Sequence, residues 1–496
     1  MRHAMLTLKA ACLAALVPAF LGGCTLAPNY ERPNPPLEAD WTTGGAAHTQ
    51  PGAKAQNWRE IITDAPTKHL VALALANNRD LRVALLNVEK AQATHAIRRA
   101  DLFPHIDATA AGNMARTPAT LSGTGYPVTS RAYSVGLGFS AFELDLFGRL
   151  RSLKEQALEQ YLSTEATAKS VELTLVAQVA SAYMTLAADR EHLATAQEIL
   201  DTEQASFELV TQRFGNGIAN ELDLSQAQTT VDTAKLSVAS YISQVTQDEN
   251  ALSVLIGMPV TMEMAPAQKL ADITPLAAVP AGLPSEVLAR RPDIVSAEHN
   301  LKAANAYVGA ARAMFFPSIS LTGSYGTASN EINGLFKSGS QQWAFVPSLD
   351  LPIFRAGSII ATVRYSKADR EAMIATYEKT VQTAFKEVSD TLALEASLIK
   401  QVAAQSSLTK ATGKSYELAT LRYENGVDSY LTKLDSQRSN ASARQNLINA
   451  RLSQQTNRLT LFKALGGGWD GQDEPEAAKL LRDAREAKES GKSTNK

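Results

Sequence analysis

Two spacings of apolar residues alternate along the chain. In Ser318–Tyr325, SISLTGSY, the residues Ile319, Leu321 and Tyr325 alternate with Ser318, Ser320, Thr322 and Ser324, the two-residue period of a strand with one apolar face. Trp343, Phe345, Pro347, Leu349 and Leu351 alternate in the same way with Gln342, Ala344, Ser348 and Asp350. Tyr133, Val135, Leu137 and Phe139 do so with Ser134, Gly136, Gly138 and Ser140, and Ile106, Ala108 and Ala110 give a weaker fourth strand. Pro347 points to a strand end or a bulge. Elsewhere glycine and proline vanish. Arg149 to Phe214 holds neither over 66 residues, and Ser358 to Asn425 is 68 residues broken only by Gly413; as single helices they extend about 99 and 102 Å. Ile218–Ile256 and Val427–Leu465 are clean runs of 39 residues each, about 58 Å as helices. Further helical runs are expected over Thr67–Phe103 and, starting at Pro292 with Gly309 inside, over Ser285–Phe316.

These elements come in two sets. RFGNGIANELDLSQAQ from Arg213 returns as RYENGVDSYLTKLDSQ from Arg422, 209 positions later, and an ungapped overlay keeps Leu222/Leu431, Gln228/Gln437 and Gly257/Gly466 in register. Asp80-Leu81 matches Asp293-Ile294, and LFPHI matches FFPSI, both 213 positions apart. The chain is thus an internal two-fold repeat. Each Asn-Gly pair lies between two long helical runs, where glycine tolerates the left-handed conformation that ends a helix, so 213–222 and 422–431 are tips of antiparallel helical hairpins. Leu193, Leu200, Phe207 and Phe214 recur seven apart on the way to the first tip, with Ala196 and Val210 interleaved, as in a coiled-coil seam; Glu203 interrupts it. The expected organisation is a first repeat over 66–257 with a β-hairpin at 104–146, a linker at 258–284, a second repeat over 285–469 with a β-hairpin at 317–354, and a charged tail, disordered or loosely helical, at 470–496.

The fold class is mixed α and β, with long antiparallel helical hairpins and four strands. Segments 112–131 and 326–341 are rich in Gly, Ser, Thr and Asn and predict long polar hairpin loops. Strands near ten residues, apolar on one face and small or polar on the other, are the pattern of a membrane β-barrel with a wet interior. Four cannot close one, because a single-chain barrel needs about eight or more and an open sheet edge cannot face lipid. Several copies must share the barrel: two would give about eight strands and a plugged lumen, three about twelve and an opening. No stretch beyond the N-terminus reads as a transmembrane helix.

Only 6% of the 496 residues are aromatic, which favours close backbone packing over one thick core. Arg2 and Lys9, the apolar run AACLAALVPAFLGG and then Cys24 follow the order of an export signal over 1–23. Residues 24–65 then form an extended N-terminal segment. Cys12 and Cys24 are the only cysteines, so the exported chain has no disulfide framework and no cysteine-based metal site. Its formal net charge of −2, or −4 without the signal, offers no basic surface and excludes nucleic acid as a partner.

LGGC, from Leu21 to Cys24, resembles the lipobox of bacterial lipoproteins. Together with GCTLAPNYERPNPP, LPSEVLARRPDIVSAEHNLKAANAYVGAARAMFFPSISLTGSYG, RYENGVDSYLTKLDSQRS and ALGGGW, it makes the chain similar to the outer-membrane efflux channel lipoproteins of the OprM/NodT type, in the TolC-like outer membrane factor superfamily. The resemblance implies a homotrimer with a twelve-stranded barrel in the outer membrane of a Gram-negative bacterium and a helical tunnel in the periplasm. It implies diacylglycerol and N-acyl lipid on Cys24, contact with outer-membrane lipid, and no other cofactor. It also implies a periplasmic adaptor and an inner-membrane transporter of the RND type as partners, and passive export of small molecules such as antibiotics or toxic compounds. Matching the second tip assigns a periplasmic gate to Arg422, Tyr423, Leu431 and Asp435; the repeat-equivalent residues are Arg213, Phe214, Leu222 and Gln226. Rings of Leu431 would narrow a bore, and rings of Asp435 would repel anions.

Enzyme signatures are missing: the seven His are scattered, and no H-E-x-x-H, G-x-S-x-G or Walker sequence occurs. GLGFSA at Gly136 imitates a dinucleotide fingerprint but sits in an alternating strand. Glu298-His299 is expected to be solvated on a helix. The rival readings are a duct for protein secretion and a structural lipoprotein linking the outer membrane to the periplasm; the second leaves the alternating strands without a purpose.

Overall fold

The computed structural model describes residues 25–34, 57–261, 264, 269–270, 273, 276, 288, 290–469, 475–480 and 482–483. Cys24 and the signal segment 1–23 lie outside the described residues, as does most of the linker. The elements are α1 (Trp58–Ile61), α2 (Ala65–Asn77), α3 (Arg79–Ala100), β1 (Asp107–Thr117), β2 (Val128–Leu144), α4 (Arg149–Gly215), α5 (Glu221–Ile256), α6 (Pro292–Ala313), β3 (Ser318–Ser329), β4 (Gln341–Asp350), α7 (Ser358–Glu424) and α8 (Tyr430–Ala464). The two longest helices have 67 residues each, because neither run contains proline and the only glycine in the interior of either is Gly413 of α7. Gly413 is carried inside α7 with only Asn440 Oδ1 near the place of its missing Cβ.

The chain divides into two compact units. One comprises residues up to 33, 88–164 and 297–377 and holds a four-stranded antiparallel sheet in the order β1-β2-β3-β4. Its register puts Leu137 opposite Tyr325, Tyr325 opposite Trp343, Gly323 opposite Phe345 and Ile319 opposite Leu349, so the expected apolar face is continuous across the strands. The bulge between Phe139 and Phe142 preserves it. Ala141 takes a φ of 52° and donates its N–H to Thr322 Oγ1 (3.1 Å); the extra residue switches the apolar positions from odd to even, so Phe142 and Leu144 stay beside Leu321 and Ile319. Gly136 and Gly138 belong to the opposite, crowded face, where a Cβ would lie 2.9 and 2.7 Å from the carbonyl oxygens of Tyr325 and Gly323.

Three details of this unit differ from what the sequence predicts. The strands run further than their apolar alternation, so the loops shrink to 118–127 and 330–340; a ladder needs only backbone donors and acceptors, and polar residues supply them as well as apolar ones. Pro347 sits inside β4, opposite Leu321, and is tolerated because β4 is an edge strand. Glu298-His299 is not solvated. Residues 25–32 lie along α6 as a strap: Arg312 Nη1 donates to Leu26 O (3.1 Å), Asn305 to Pro28 O (2.7 Å), and Arg32 and Tyr30 donate to the buried Glu298. Lys302 adds an ion pair to Glu298 (3.1 Å), and His299 Nδ1 lies 2.6 Å from Glu159. Burial works to raise the Glu298 carboxyl, but the bonds from Arg32 and Lys302 outweigh it and hold the group below its ordinary range. Gly309 makes room for the strap, since its Cβ would sit 2.7 Å from Ala27 N.

The other unit comprises 34–87, 165–296 and 378–496 and is built from helices. The run expected over Thr67–Phe103 is broken between α2 and α3 by Asn78, which is extended (φ −59°, ψ 134°). Its Oδ1 accepts from Leu81 N and its Nδ2 donates to Leu255 O, both at 2.9 Å. The asparagine caps its own helix and clasps the last turn of α5 with one side chain. Arg291 repeats the device 213 positions on: Nη1 donates to Ala464 O (2.8 Å), in the last turn of α8, while the guanidinium also holds Asp293 and Glu387. Gly257 and Gly466 end α5 and α8 with φ of 77° and 82°. One stretch of α4 is apolar enough to pass for a membrane span; it carries Val176, Val179, Ala180, Tyr183, Met184, Leu186 and Ala187, all buried within the protein, so the apolar content serves helix packing. In the charged tail, residues 476–480 are helical. Ala477 is buried, Glu476 pairs with Arg59 (2.7 and 2.5 Å), and the Ala477 N–H reaches the buried Glu172 (3.4 Å).

Arg291→Met removes the donor to the Ala464 carbonyl and one partner each of the partly exposed Asp293 and Glu387, and is expected to cost more than Asn78→Ala, about 2–3 kcal/mol. Asn78→Ala is expected to cost about 1–3 kcal/mol. Chemical unfolding of the purified protein, followed by tryptophan fluorescence, checks both the losses and their order.

Candidate gate site at the hairpin tips

Both tips are built by the same backbone device. At the first, Ile218 N–H donates to Arg213 O (2.8 Å) and Gly217 N–H to Phe214 O (2.9 Å); at the second, Val427 N–H donates to Arg422 O (2.9 Å) and Gly426 N–H to Tyr423 O (3.0 Å). This is the Schellman closure of a helix end, and it requires the left-handed glycines Gly217 (φ 69°) and Gly426 (φ 73°). The returning helices start on capping side chains: Asn220 Oδ1 accepts from Asp223 N (2.8 Å), and Ser429 Oγ from Thr432 N (3.3 Å).

The side chains at the two tips diverge. Arg422 clamps Asp428 with two bonds (2.6 and 2.9 Å) across the second turn and holds that carboxyl below its ordinary range. The first turn has Ala219 at the place of Asp428. Tyr423 is 8% exposed and forms a cluster with Val210, Ala227, Tyr430 and Leu434, against which Phe207 and Leu224 pack. Its ring meets Tyr430 at 5.6 Å, tilted by 59°, and the Arg213 guanidinium stands over it at 5.1 Å. Phe214, its repeat-equivalent, is exposed. Leu431 is 53% exposed and Asp435 is exposed on the same face one turn later; Leu222 is exposed and Gln226 half-buried. The structure therefore brings Arg213 and Tyr423 together as the contact between hairpins, and keeps Leu431 and Asp435 apart from that contact with open surface before them.

The sequence reading missed the polar residues between the hairpins. Glu203 and Lys433 are both buried. Thr230 Oγ1 donates to Glu203 (2.9 Å), and Lys433 Nζ donates to Ser206 Oγ (3.2 Å). The signal for them was the break in the heptad seam at Glu203: a charge in the middle of an apolar stripe is buried unless the stripe ends there. A second acidic feature lies further along the first hairpin. No donor reaches the buried Oδ2 of Asp248, and burial, followed by a hydrogen bond shared with Asp248, pushes the Asp189 carboxyl up to about 7. No group of three or more potential metal ligands occurs among the described residues.

Comparison with known proteins settles the family. The family described as "Outer membrane efflux protein" matches residues 70–258 and 283–467. The chain belongs to this family. It is 48% identical over 462 residues to the toluene efflux pump outer membrane protein TtgC of Pseudomonas putida, covering 92% of this chain and 95% of that one. It is 42% identical over 465 residues to the outer membrane protein OprJ of Pseudomonas aeruginosa, covering 92% and 95%. Among solved structures it resembles the open state of the MtrE outer membrane channel of Neisseria gonorrhoeae, with a TM-score of 0.80 at 38% identity, covering 91% of this chain and 100% of that one. The protein is an outer-membrane efflux channel, and its family consists of channels, not enzymes.

An Asp189 carboxyl raised in the folded state binds a proton that the unfolded chain has released. Its contribution to stability is complete below the ordinary carboxylate range and is lost as pH rises toward about 7. Asp189→Asn should therefore gain thermal stability over the unmodified protein at pH 8, and the gain should shrink as pH falls to 5, as melting curves across that range would show.

Proposed function

We propose that three copies of this chain form a passive duct that carries small toxic compounds across the outer membrane, gated at the helical tips. The carrying observation is the sheet: four strands with an apolar face and two unpaired edges, β1 and β4. In hydrocarbon those edges require partners, and three copies supply about twelve strands, enough for an open lumen. The large side chains of the apolar face, among them Leu137, Tyr325, Trp343, Phe345 and Leu349, are 56–74% exposed in the single chain, which suits contact with lipid.

The duct holds no energy source of its own. An inner-membrane transporter of the RND type, joined through a periplasmic adaptor, supplies it and docks at the tips. The cargo is of the kind suggested by the toluene pump relative. Cys24 carries the lipid anchor, a reading that rests on the LGGC sequence that ends the signal.

Leu431 and Asp435 form the constriction, flanked by the Arg422 and Tyr423 positions that set the second tip. Gln226 stands where the first repeat would need a carboxylate, so the acidic ring holds one charge per subunit. Replacing Leu431 and Asp435 together with Ala is expected to raise single-channel conductance in planar bilayers severalfold, and unchanged conductance removes them from the gate. Mass photometry of the purified protein should show a trimer; a stable monomer in detergent contradicts the shared barrel.

A further inference from the structure

The turn of α8 that presents Leu431 and Asp435 has a second face, and that face is buried. Lys433, 6% exposed, donates to Ser206 Oγ on α4 (3.2 Å) and stands 5.5 Å from the centre of the Tyr423 ring on α7. One turn earlier on α4, Glu203, 5% exposed, accepts from Thr230 of α5 (2.9 Å). Burial pushes the Glu203 carboxyl up, while the Thr230 hydroxyl and the charges of Lys433 and Arg438 pull it down. Burial pushes the Lys433 ammonium down, while Glu203 and Glu424 pull it up. Tyr416 and Tyr430, both raised first by burial, are also close by, and the Arg213 guanidinium shares the Tyr423 ring with Lys433. Two opposite charges, each penalised by desolvation, stand on different hairpins, and each offsets part of the other's burial cost, with Ser206 as the hydrogen-bonded link between the helices. The first repeat has Leu224 where the second has Lys433, so this cation is not part of the shared hairpin plan.

We propose that Glu203 and Lys433 form a buried charge latch that ties α8 to the first hairpin and holds the Leu431–Asp435 face in its constricted position. Both are positioning residues, and the proposal rests on the reading of Leu431 and Asp435 as the constriction. Moving α8 away from α4 would take from the carboxylate its Lys433 countercharge and from the ammonium both Glu203 and the Ser206 bond, inside low-dielectric protein, so the constricted arrangement is favoured for as long as both are charged. The stabilisation is conditional: removing one charge leaves the other as a penalty, and removing both cancels it.

The test uses the full-length protein in planar bilayers, with assembly verified by mass photometry. Leu431→Ala with Asp435→Ala is the control for the constriction. Lys433→Met alone and Glu203→Gln alone are each expected to raise open probability on the order of tenfold, while the double variant returns to within about twofold of the unmodified channel. The two single variants should respond to pH in opposite directions. The leak of Lys433→Met should fall as pH is lowered, because protonation removes the unpaired Glu203 charge; the leak of Glu203→Gln should fall as pH is raised, because Lys433 is neutralised. A loss of packing alone would give neither the cancellation nor the opposite slopes. If a single variant fails to assemble, Ser206→Ala with Thr230→Val keeps both charges and strips their hydrogen bonds, with an expected rise of about threefold; no rise overturns the latch. Single variants at the unmodified level, beside a leaking control, overturn the latch and spare the constriction. An unchanged control overturns both.

Discussion

The governing constraint is that a backbone in hydrocarbon must find all its hydrogen bonds within protein. Each chain brings one sheet in which β2 and β3 have a strand on either side and β1 and β4 have one on a single side. From this follow the apolar face that would otherwise be a solubility defect and the bulge at Ala141 that keeps the face in phase. β2 belongs to the first repeat and β3 to the second, so the repeats are joined through their central strands as well as by the chain.

The two repeats agree where geometry alone is needed and differ where charge is needed. Both tips close with a left-handed glycine and a Schellman turn. Both returning helices have a last-turn carbonyl held by a side chain, Asn78 in one repeat and Arg291 in the other. The arginine also gathers Asp293 and Glu387, so the second repeat pins three helices with the group that pins two in the first. At the tips the difference widens. Asp428, Lys433 and Asp435 are charged where the first repeat has Ala219, Leu224 and Gln226. Charge is thus divided between the hairpins, since the first contributes the buried Glu203 where the second repeat has Thr412. A pore lined by six hairpins from three subunits would therefore alternate between two kinds, a division of labour that a strictly repeated sequence could not support.

Buried charge recurs in the helical unit. Glu172 receives the tail through the Ala477 N–H, and Glu203 faces the second hairpin. Each such group is costly alone and therefore specifies its partner. An Ala-rich wall of helices can slide in register at little cost in apolar contact, so polar groups at a few depths determine which register is adopted.

The sequence alone determined the elements and their duplication. Helix extents followed from the absence of glycine and proline, strand faces from two-residue alternation, and the tips from Asn-Gly, because these depend on local backbone preference and on the side to which a residue points. The need for more than one copy followed from counting strands. Tertiary structure decided what local preference cannot express. It broke the first helical run at Asn78 and buried Glu298 beneath a strap. It drew part of the charged tail onto Arg59 and Glu172, turned Tyr423 into an inter-hairpin contact, and left Leu431 and Asp435 exposed on their own face. Each of these outcomes depends on a partner remote in the chain, and a residue's burial and charge state are properties of that partner as much as of the residue itself.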